Sequence, residues 1–401
     1  MYCTRKITDD VVWVGVNDRK ISRFEAQYEV PKGISYNSYV LLDDKTVLWD
    51  TVDYSMSRMF MENVEHVLQG RTLDFLVVHH MEPDHSAAIR EILEKYPEVT
   101  LVCSAKAASM LPQFVPLDGL PKEPEILKVK DGDVIETGHH ELTFLTAPMV
   151  HWPEVIMTFD KTSGLLFTAD AFGVFGTLDG AIFADEVDFD KDYMDEARRY
   201  YTNIVGMYGT QVQAVLKKIH KQPVKMICPL HGFVWRENLE HILERYQVWS
   251  SYEPEVKGAV VFYASVYGHT ENAADALAIR LREKGIPVVL LDVNQVSVDE
   301  MISQAFKYSH WILASITWNG GLLGSMENLL RQLSSHKLQN RTVGFLQNGT
   351  WAAMSVKAMQ PILETMKNIT VLENTVTLKS ALKEEQGGEL DALAEEVAAS
   401  L

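Results

Sequence analysis

Four side chains able to hold a metal fall within six residues: His80, Glu82, Asp84 and His85, in the segment VVHHMEPDHSAAI at Val77–Ile89. They converge on metal only if their loop is tight, and Pro83 favours such a turn. The apolar run before them reads as a strand, and Ser86 reads as the cap of a following helix. Three more candidates follow short apolar runs downstream: His151 in APMVHWPE, Asp170 at the end of LLFTAD, and His231 in ICPLHGF. Alone, His231 reads as an ordinary core histidine and Asp170 as a helix cap; beside the six-residue cluster both become ligand candidates. The set holds four imidazoles, three carboxylates and no thiolate. Seven donors are too many for one ion and suit two, with Asp170 able to bridge them. Nitrogen and oxygen donors this rich in carboxylate suit iron or manganese over zinc. His79 alternates away from His80 and is expected to face the other side of the strand. His139 and His140, in the charged turn DGDVIETGHHE, read as solvated.

A second constellation begins where an apolar strand runs into Ser265, Val266, Tyr267, Gly268, His269 and Thr270, followed by a helical pattern. Hydroxyls and backbone N–H groups at a helix N-terminus form a phosphate site without lysine. The loop contains neither GxGxxG nor GxxxxGK, so a dinucleotide fold or a P-loop fits poorly. His269 equally reads as an exposed turn residue. Two later strand ends, Ser315-Ile316-Thr317-Trp318-Asn319-Gly320-Gly321 and Asn348-Gly349-Thr350-Trp351-Ala352, bring polar groups, glycine and tryptophan to the edge where open α/β sheets bind ligands. A tryptophan there either stacks on a planar ring or packs as a hydrophobic lid.

The elements that must position these residues change rhythm near SSYEPEVKG at Ser250–Gly258. Before it, strand-like runs at Ser38–Leu42, Thr46–Trp49, Phe75–His79, Thr100–Cys103, Leu142–Thr146, Val155–Phe159 and Leu165–Thr168 interleave with helical patterns at Ser55–Leu68 and Ser86–Tyr96. This is the mixture of an α+β or layered α/β domain. After it, strands at Ala259–Ala264, Pro287–Asp292, Trp311–Ser315, Thr342–Leu346 and Thr370–Val376 alternate with helices at Glu271–Lys284, Val298–Tyr308, Ser325–Ser335, Ala353–Lys367 and Glu384–Leu401. Five strands alternating with five helices predict a doubly wound, five-stranded parallel sheet. The expected division is 1–252 and 253–401.

The 401-residue chain has 37 basic and 55 acidic residues, a net charge of −18 that argues against nucleic acid or an anionic membrane as partner. No apolar run approaches a membrane span and no signal peptide is legible. Cys3, Cys103 and Cys228 lie too far apart for a CxxC pair and fit a reducing cytoplasm.

The first half resembles the metallo-β-lactamase fold, an αββα sandwich whose signature is HxHxDH. Here Glu82 replaces the second histidine. That variant, followed by a flavodoxin-like domain whose phosphate loop is Ser265–Thr270, resembles the flavodiiron proteins along essentially the whole chain. The resemblance implies that His80, Glu82 and His151 bind one iron, that Asp84, His85 and His231 bind the other, and that Asp170 bridges them. It implies FMN in the second domain and reduction of O2 to water, of NO to N2O, or both. Ile316 stands where the family often has proline, and Gln347–Trp351 departs from its usual run, which bears on individual ring contacts and on the flavin potential. The resemblance further implies a head-to-tail homodimer or a dimer of such dimers. With no rubredoxin-like cysteine pairs in the chain, electrons are expected from a separate donor such as rubredoxin or a reduced deazaflavin. Tyr28, Trp152, Tyr200 and Tyr201 are candidates for the pocket border, though each reads first as packing. Two rival readings remain: a zinc hydrolase of the metallo-β-lactamase fold fused to a flavodoxin domain, and a non-catalytic gas sensor or electron carrier.

Overall fold

The computed structural model describes residues 2–401. Contacts divide the chain into two compact units. The first runs to Tyr201 and resumes over Thr210–Gln247; the second comprises Thr202–Gly209 and Val248–Leu401.

The first unit is a sandwich of two sheets. One has seven strands in chain order: Arg5–Lys6, Val11–Trp13, Tyr39–Leu42, Thr46–Trp49, Phe75–Val78, Thr100–Ser104 and Glu125–Val129. Pairing is antiparallel up to Thr46–Trp49 and parallel beyond it. Parallel neighbours need crossovers, supplied here by the helices Ser57–Leu68, Ile89–Lys95 and Ala105–Phe114. Helix Ser57–Leu68 buries Phe60, Val64 and Leu68, and its Asn63 amide donates to the carbonyls of Val14 and Gly15. The other sheet has five strands, Val134–Glu136, Glu141–Thr146, Ile156–Asp160, Leu165–Phe167 and Met226–Cys228. The inner faces meet through aromatic contacts: Phe167 stacks on Trp49 at 3.9 Å between ring centroids and meets Tyr39 edge-on at 5.3 Å. The expected αββα layering is therefore the one the unit adopts.

Strand direction decides where the candidate ligands emerge. Glu141–Thr146 and Leu165–Phe167 both run antiparallel to Ile156–Asp160, and Met226–Cys228 runs parallel to Leu165–Phe167. The loops after these three strands, carrying His151, Asp170 and His231, consequently leave from one edge of the sheet. At the same end the two sheets are tied together by the Ile156 N–H donating to the His79 carbonyl at 3.2 Å.

In the second unit the parallel strands lie in the order Val288–Asp292, Val256–Ala264, Tyr308–Trp318, Arg341–Asn348, Ile369–Leu378. This is the 2-1-3-4-5 order of flavodoxin-like folds. Helices His269–Glu283 and Gly387–Ser400 pack on the sheet through Ala273, Ala274, Leu277, Leu281, Leu390, Leu393 and Val397.

Three local expectations need correction. Ser86 does not cap a helix: it ends the short helix Pro83–Ser86, and its hydroxyl donates back to the Met81 carbonyl. Proline's fixed φ suits a first helical turn, so the HxExDH segment closes as a turn of helix. Second, Tyr308–Trp318 is far longer than expected, and its end pairs with Gly321–Leu322. The intervening Asn319 and Gly320 both have positive φ, 48° and 77°. The glycine-rich loop is thus the tip of a tight Asn-Gly hairpin. Third, the helix expected over Ala353–Lys367 is confined to Ser355–Leu363.

Candidate metal centre and flavin cleft

All seven candidate ligands come together in the first unit. His80 Nε2 lies 3.1 Å from Glu82 Oε2 and 3.2 Å from Asp170 Oδ2; His151 Nε2 lies 3.1 and 3.3 Å from the same two oxygens. A second group adjoins it. His85 Nε2 is 3.1 Å from Asp84 Oδ2, 3.2 Å from Asp170 Oδ1 and 3.0 Å from His231 Nε2. Asp170 thus turns one oxygen to each group. The groups His80–Glu82–His151–Asp170 and Asp84–His85–His231 each gather within the span of one ion.

The chemistry of these contacts fits metal. Two ring nitrogens facing each other at 3.0 Å cannot both carry protons. Both Asp84 oxygens and Asp170 Oδ1 are buried without a hydrogen-bond partner, a costly arrangement unless a cation completes it. Donors about 2.1 Å from an ion stand roughly 3.0–3.4 Å apart in octahedral or tetrahedral geometry, which matches the separations here. Burial opposes charge on the imidazoles, but the carboxylates outweigh it. Asp84 and Asp170 push His85 up to about 10, and Asp170 and Glu82 push His151 up to about 9. Burial likewise favours a neutral Asp170, and the His85 and His80 rings overcome it and hold that carboxyl well below the usual range.

The loops are shaped for this convergence. Met149, Ala169 and Phe172, beside His151 and Asp170, adopt left-handed conformations at φ 63°, 52° and 70°. Non-glycine residues there cost about 1–3 kcal/mol each and persist where the surroundings over-determine them. The far ring nitrogens are also held: His80 Nδ1 donates to Glu154 Oε1 at 2.8 Å and His231 Nδ1 to the Ser35 carbonyl at 2.7 Å. Aromatic rings wall the cluster. Trp152 meets His80 edge-on at 5.0 Å, and Phe24, Tyr36 and Tyr200 lie 5.4, 5.8 and 5.5 Å from the His231 ring. Of the aromatic candidates, Trp152 and Tyr200 border the cluster, whereas Tyr28 packs on Phe175 and Tyr201 on Tyr246.

His79 faces away, bonded to Asp50 at 2.6 Å and Thr158 at 2.7 Å. His140 corrects the expectation of a solvated pair. It is buried between Asp160 at 2.7 Å and Asp10 at 2.8 Å, while His139 does lie exposed, beside Asp43. Glu154, Phe24, Ser35 and Tyr36 were not anticipated. Glu154 had a weak signal, standing three residues after His151 in HWPE.

In the second unit a cleft of about 450 Å³ opens at the carboxyl edge of the parallel sheet. Of the anticipated residues, Ser265, Val266, Tyr267, His269, Thr270, Thr317, Trp318, Asn319, Gly320, Asn348, Gly349 and Trp351 line it. Gly268 and Ser315 do not. Gly268 precedes helix His269–Glu283 in a left-handed conformation, φ 84°, its N–H donating to Ser265 Oγ at 3.1 Å. The Ser315 hydroxyl is buried and donates to the Ile316 carbonyl. Ile316, Thr350, Ala352 and Ser380 also line the cleft. Ser380 follows the last parallel strand, so the strand-end rule that located the other loops reaches it too. Asn348 braces the floor, donating to Thr270 Oγ1 and the Ser380 carbonyl and accepting from the Ser380 N–H. Among the described residues no lysine, arginine or carboxylate lines the cleft; hydroxyls and a helix N-terminus can hold a phosphate there. Tyr267 is 87% exposed and Trp351 94%, large faces open to a planar ring. These features fit a flavin mononucleotide.

Comparison with known proteins finds relatives for both halves of the chain. Residues 34–232 match the "ODP family beta lactamase" model and residues 261–391 the "Flavodoxin" model. The chain is 31% identical over 356 residues to the anaerobic nitric oxide reductase flavorubredoxin of Vibrio vulnificus, covering 87% of this chain and 70% of that protein. The structure of rubredoxin oxygen:oxidoreductase from Desulfovibrio gigas superposes with a TM-score of 0.91 at 25% identity, over 99% of this chain and 98% of that one. The flavodiiron protein of Giardia intestinalis superposes at 0.92, with 23% identity and coverage of 100% and 98%.

Proposed function

The chain belongs to the flavodiiron protein family, and from that premise we propose that it is an FMN- and di-iron-dependent oxidoreductase that reduces O2, NO or both. Three observations support the reading: the paired donor groups sharing Asp170, the buried oxygens without partners, and a cleft lined by hydroxyls and tryptophans at the strand ends of the second unit. The first carries it. In this reading His80, Glu82 and His151 hold one iron, Asp84, His85 and His231 the other, and Asp170 both.

When bound, the irons and flavin supply the electrons that convert O2 to water or two NO to N2O. The side chains prepare that chemistry. Glu154 and the Ser35 carbonyl fix the tautomers of His80 and His231, so that each Nε2 presents a lone pair. Phe24, Tyr36, Trp152 and Tyr200 keep the pocket apolar and admit a small uncharged gas. Ser265, His269 and Thr270 would hold the FMN phosphate, and Trp318 and Trp351 offer aromatic faces to its ring.

We assign residues 1–252 to the di-iron domain and 253–401 to the flavodoxin-like domain. We also propose a cytoplasmic location, a head-to-tail dimer, and rubredoxin or a reduced deazaflavin as donor. Among the described residues no helix is long and apolar enough to cross a membrane. A zinc hydrolase is disfavoured by Glu82 in the HxExDH segment and by the flavin cleft.

The test is anaerobic metal and flavin quantification followed by stopped-flow reoxidation with O2 and NO separately. Two irons and one FMN per chain, with turnover on at least one gas, are expected. Two zinc ions and hydrolytic turnover would sink the proposal.

A further inference from the structure

The two halves of the metal cluster offer the same donors and differ in what stands behind them. Each has two imidazoles, one carboxylate of its own and one oxygen of Asp170. Behind His80 lies Glu154, fully buried. Its Oε1 accepts from His80 Nδ1 at 2.8 Å and from the Met81 N–H at 2.9 Å, while its Oε2 is buried with no donor. No lysine or arginine takes up this charge in any bond of the Glu154 carboxylate, so it falls on one imidazole. Behind the other half, among the described residues, no carboxylate bonds the far ring nitrogens. His231 Nδ1 donates to the neutral Ser35 carbonyl at 2.7 Å, and His85 Nδ1 is buried without a partner. An anion bonded to the far nitrogen makes the near nitrogen a stronger metal donor than a carbonyl does.

We infer that Glu154 makes the halves unequal: the half formed by His80, Glu82 and His151 takes the first divalent cation, with Glu154 a positioning residue that delivers charge through His80. This rests on the two-metal reading above.

The test is anaerobic calorimetric titration of the metal-stripped full chain with Co(II). The unaltered protein is expected to show two binding events, the first at least tenfold tighter. Glu154→Gln keeps an oxygen to accept from His80 and Met81 and removes only the charge. It is expected to weaken the tight event about 10–100-fold and leave the weak one in place. Glu154→Ala removes charge and acceptor together. Weakening by Ala but not by Gln would show a purely structural role and overturn the inference, as would two equal events in the unaltered protein. Two further variants locate the asymmetry without touching Glu154: His231→Ala should retain the tight event and His151→Ala only the weak one, and the reverse pattern overturns the assignment. If the unaltered chain binds no Co(II), the two-metal reading itself falls and this inference with it; if it binds two, the outcomes above bear on Glu154 alone.

Discussion

The metal cluster and the flavin cleft both sit where strands end, yet they are built from opposite materials. The cluster is made of charged side chains, buried and pointed inward from loops with left-handed residues at Met149, Ala169 and Phe172. The cleft is made of hydroxyls, amides, backbone and exposed aromatics, with no acidic or basic side chain in its lining except His269. Cations are bound by concentrating negative charge that the empty site tolerates badly. A phosphate ester with a planar ring is bound by oriented N–H groups and apolar faces that cost little when unoccupied.

Removing the shared carboxylate should break the comparison most sharply. Asp170→Ala is expected to abolish binding of both metals and lower gas reduction at least ~100-fold, while FMN stays at one per chain by absorbance. Loss of FMN as well would mean the two sites do not load independently.

Acid should separate the units next. His310 in the flavodoxin-like unit is buried against Ser309 and Ser400, and burial pushes it down to about 4. Its unfolded value lies near 6.5, so the unfolded chain binds the extra proton between those values. Stability is therefore lost as pH falls from about 6.5 towards about 4, by up to roughly 3 kcal/mol. Urea midpoints followed by flavin fluorescence across this window should show the loss, and His310→Asn should flatten it.

Backbone strain at the phosphate loop should have a smaller effect. Gly268 has φ 84°, where a β-branched residue costs about 1–2 kcal/mol. Gly268→Val is expected to weaken FMN roughly tenfold in equilibrium dialysis and leave iron content unchanged. At the bottom of the scale, His139 lies exposed beside Asp43, and His139→Ala should shift stability by no more than about 0.5 kcal/mol with metal content unaltered.

The same contrast explains what could be read from the residues alone. Four donors in six positions, followed by His151, Asp170 and His231 after apolar runs, form a pattern with few other physical uses. The parallel order of the second unit was legible in its β-α alternation, and its strand-end loops in their glycine and tryptophan. Partners far apart in the chain were not. Glu154 bonds His80 across 74 positions and Asp10 bonds His140 across 130, and nothing local announces either. His140 looked solvated because GHHE has the composition of a turn; its partners are carboxylates from distant segments, Asp160 at the end of a strand and Asp10 in the bend before another. The Asn319-Gly320 hairpin was a missed turn signal, since Asn-Gly between strand residues points to that geometry on its own.

His231 follows the last strand of the first unit to be made, 146 positions after His85. At about 5–20 residues per second, a ribosome needs roughly seven to thirty seconds to go from one to the other. During that interval the nascent chain displays His80, Glu82, Asp84 and His85 with no partner histidine from the final strand. A cation captured by Asp84 and His85 in that interval meets an incomplete, exchangeable pocket, so loading of that half is decided after translation has passed His231.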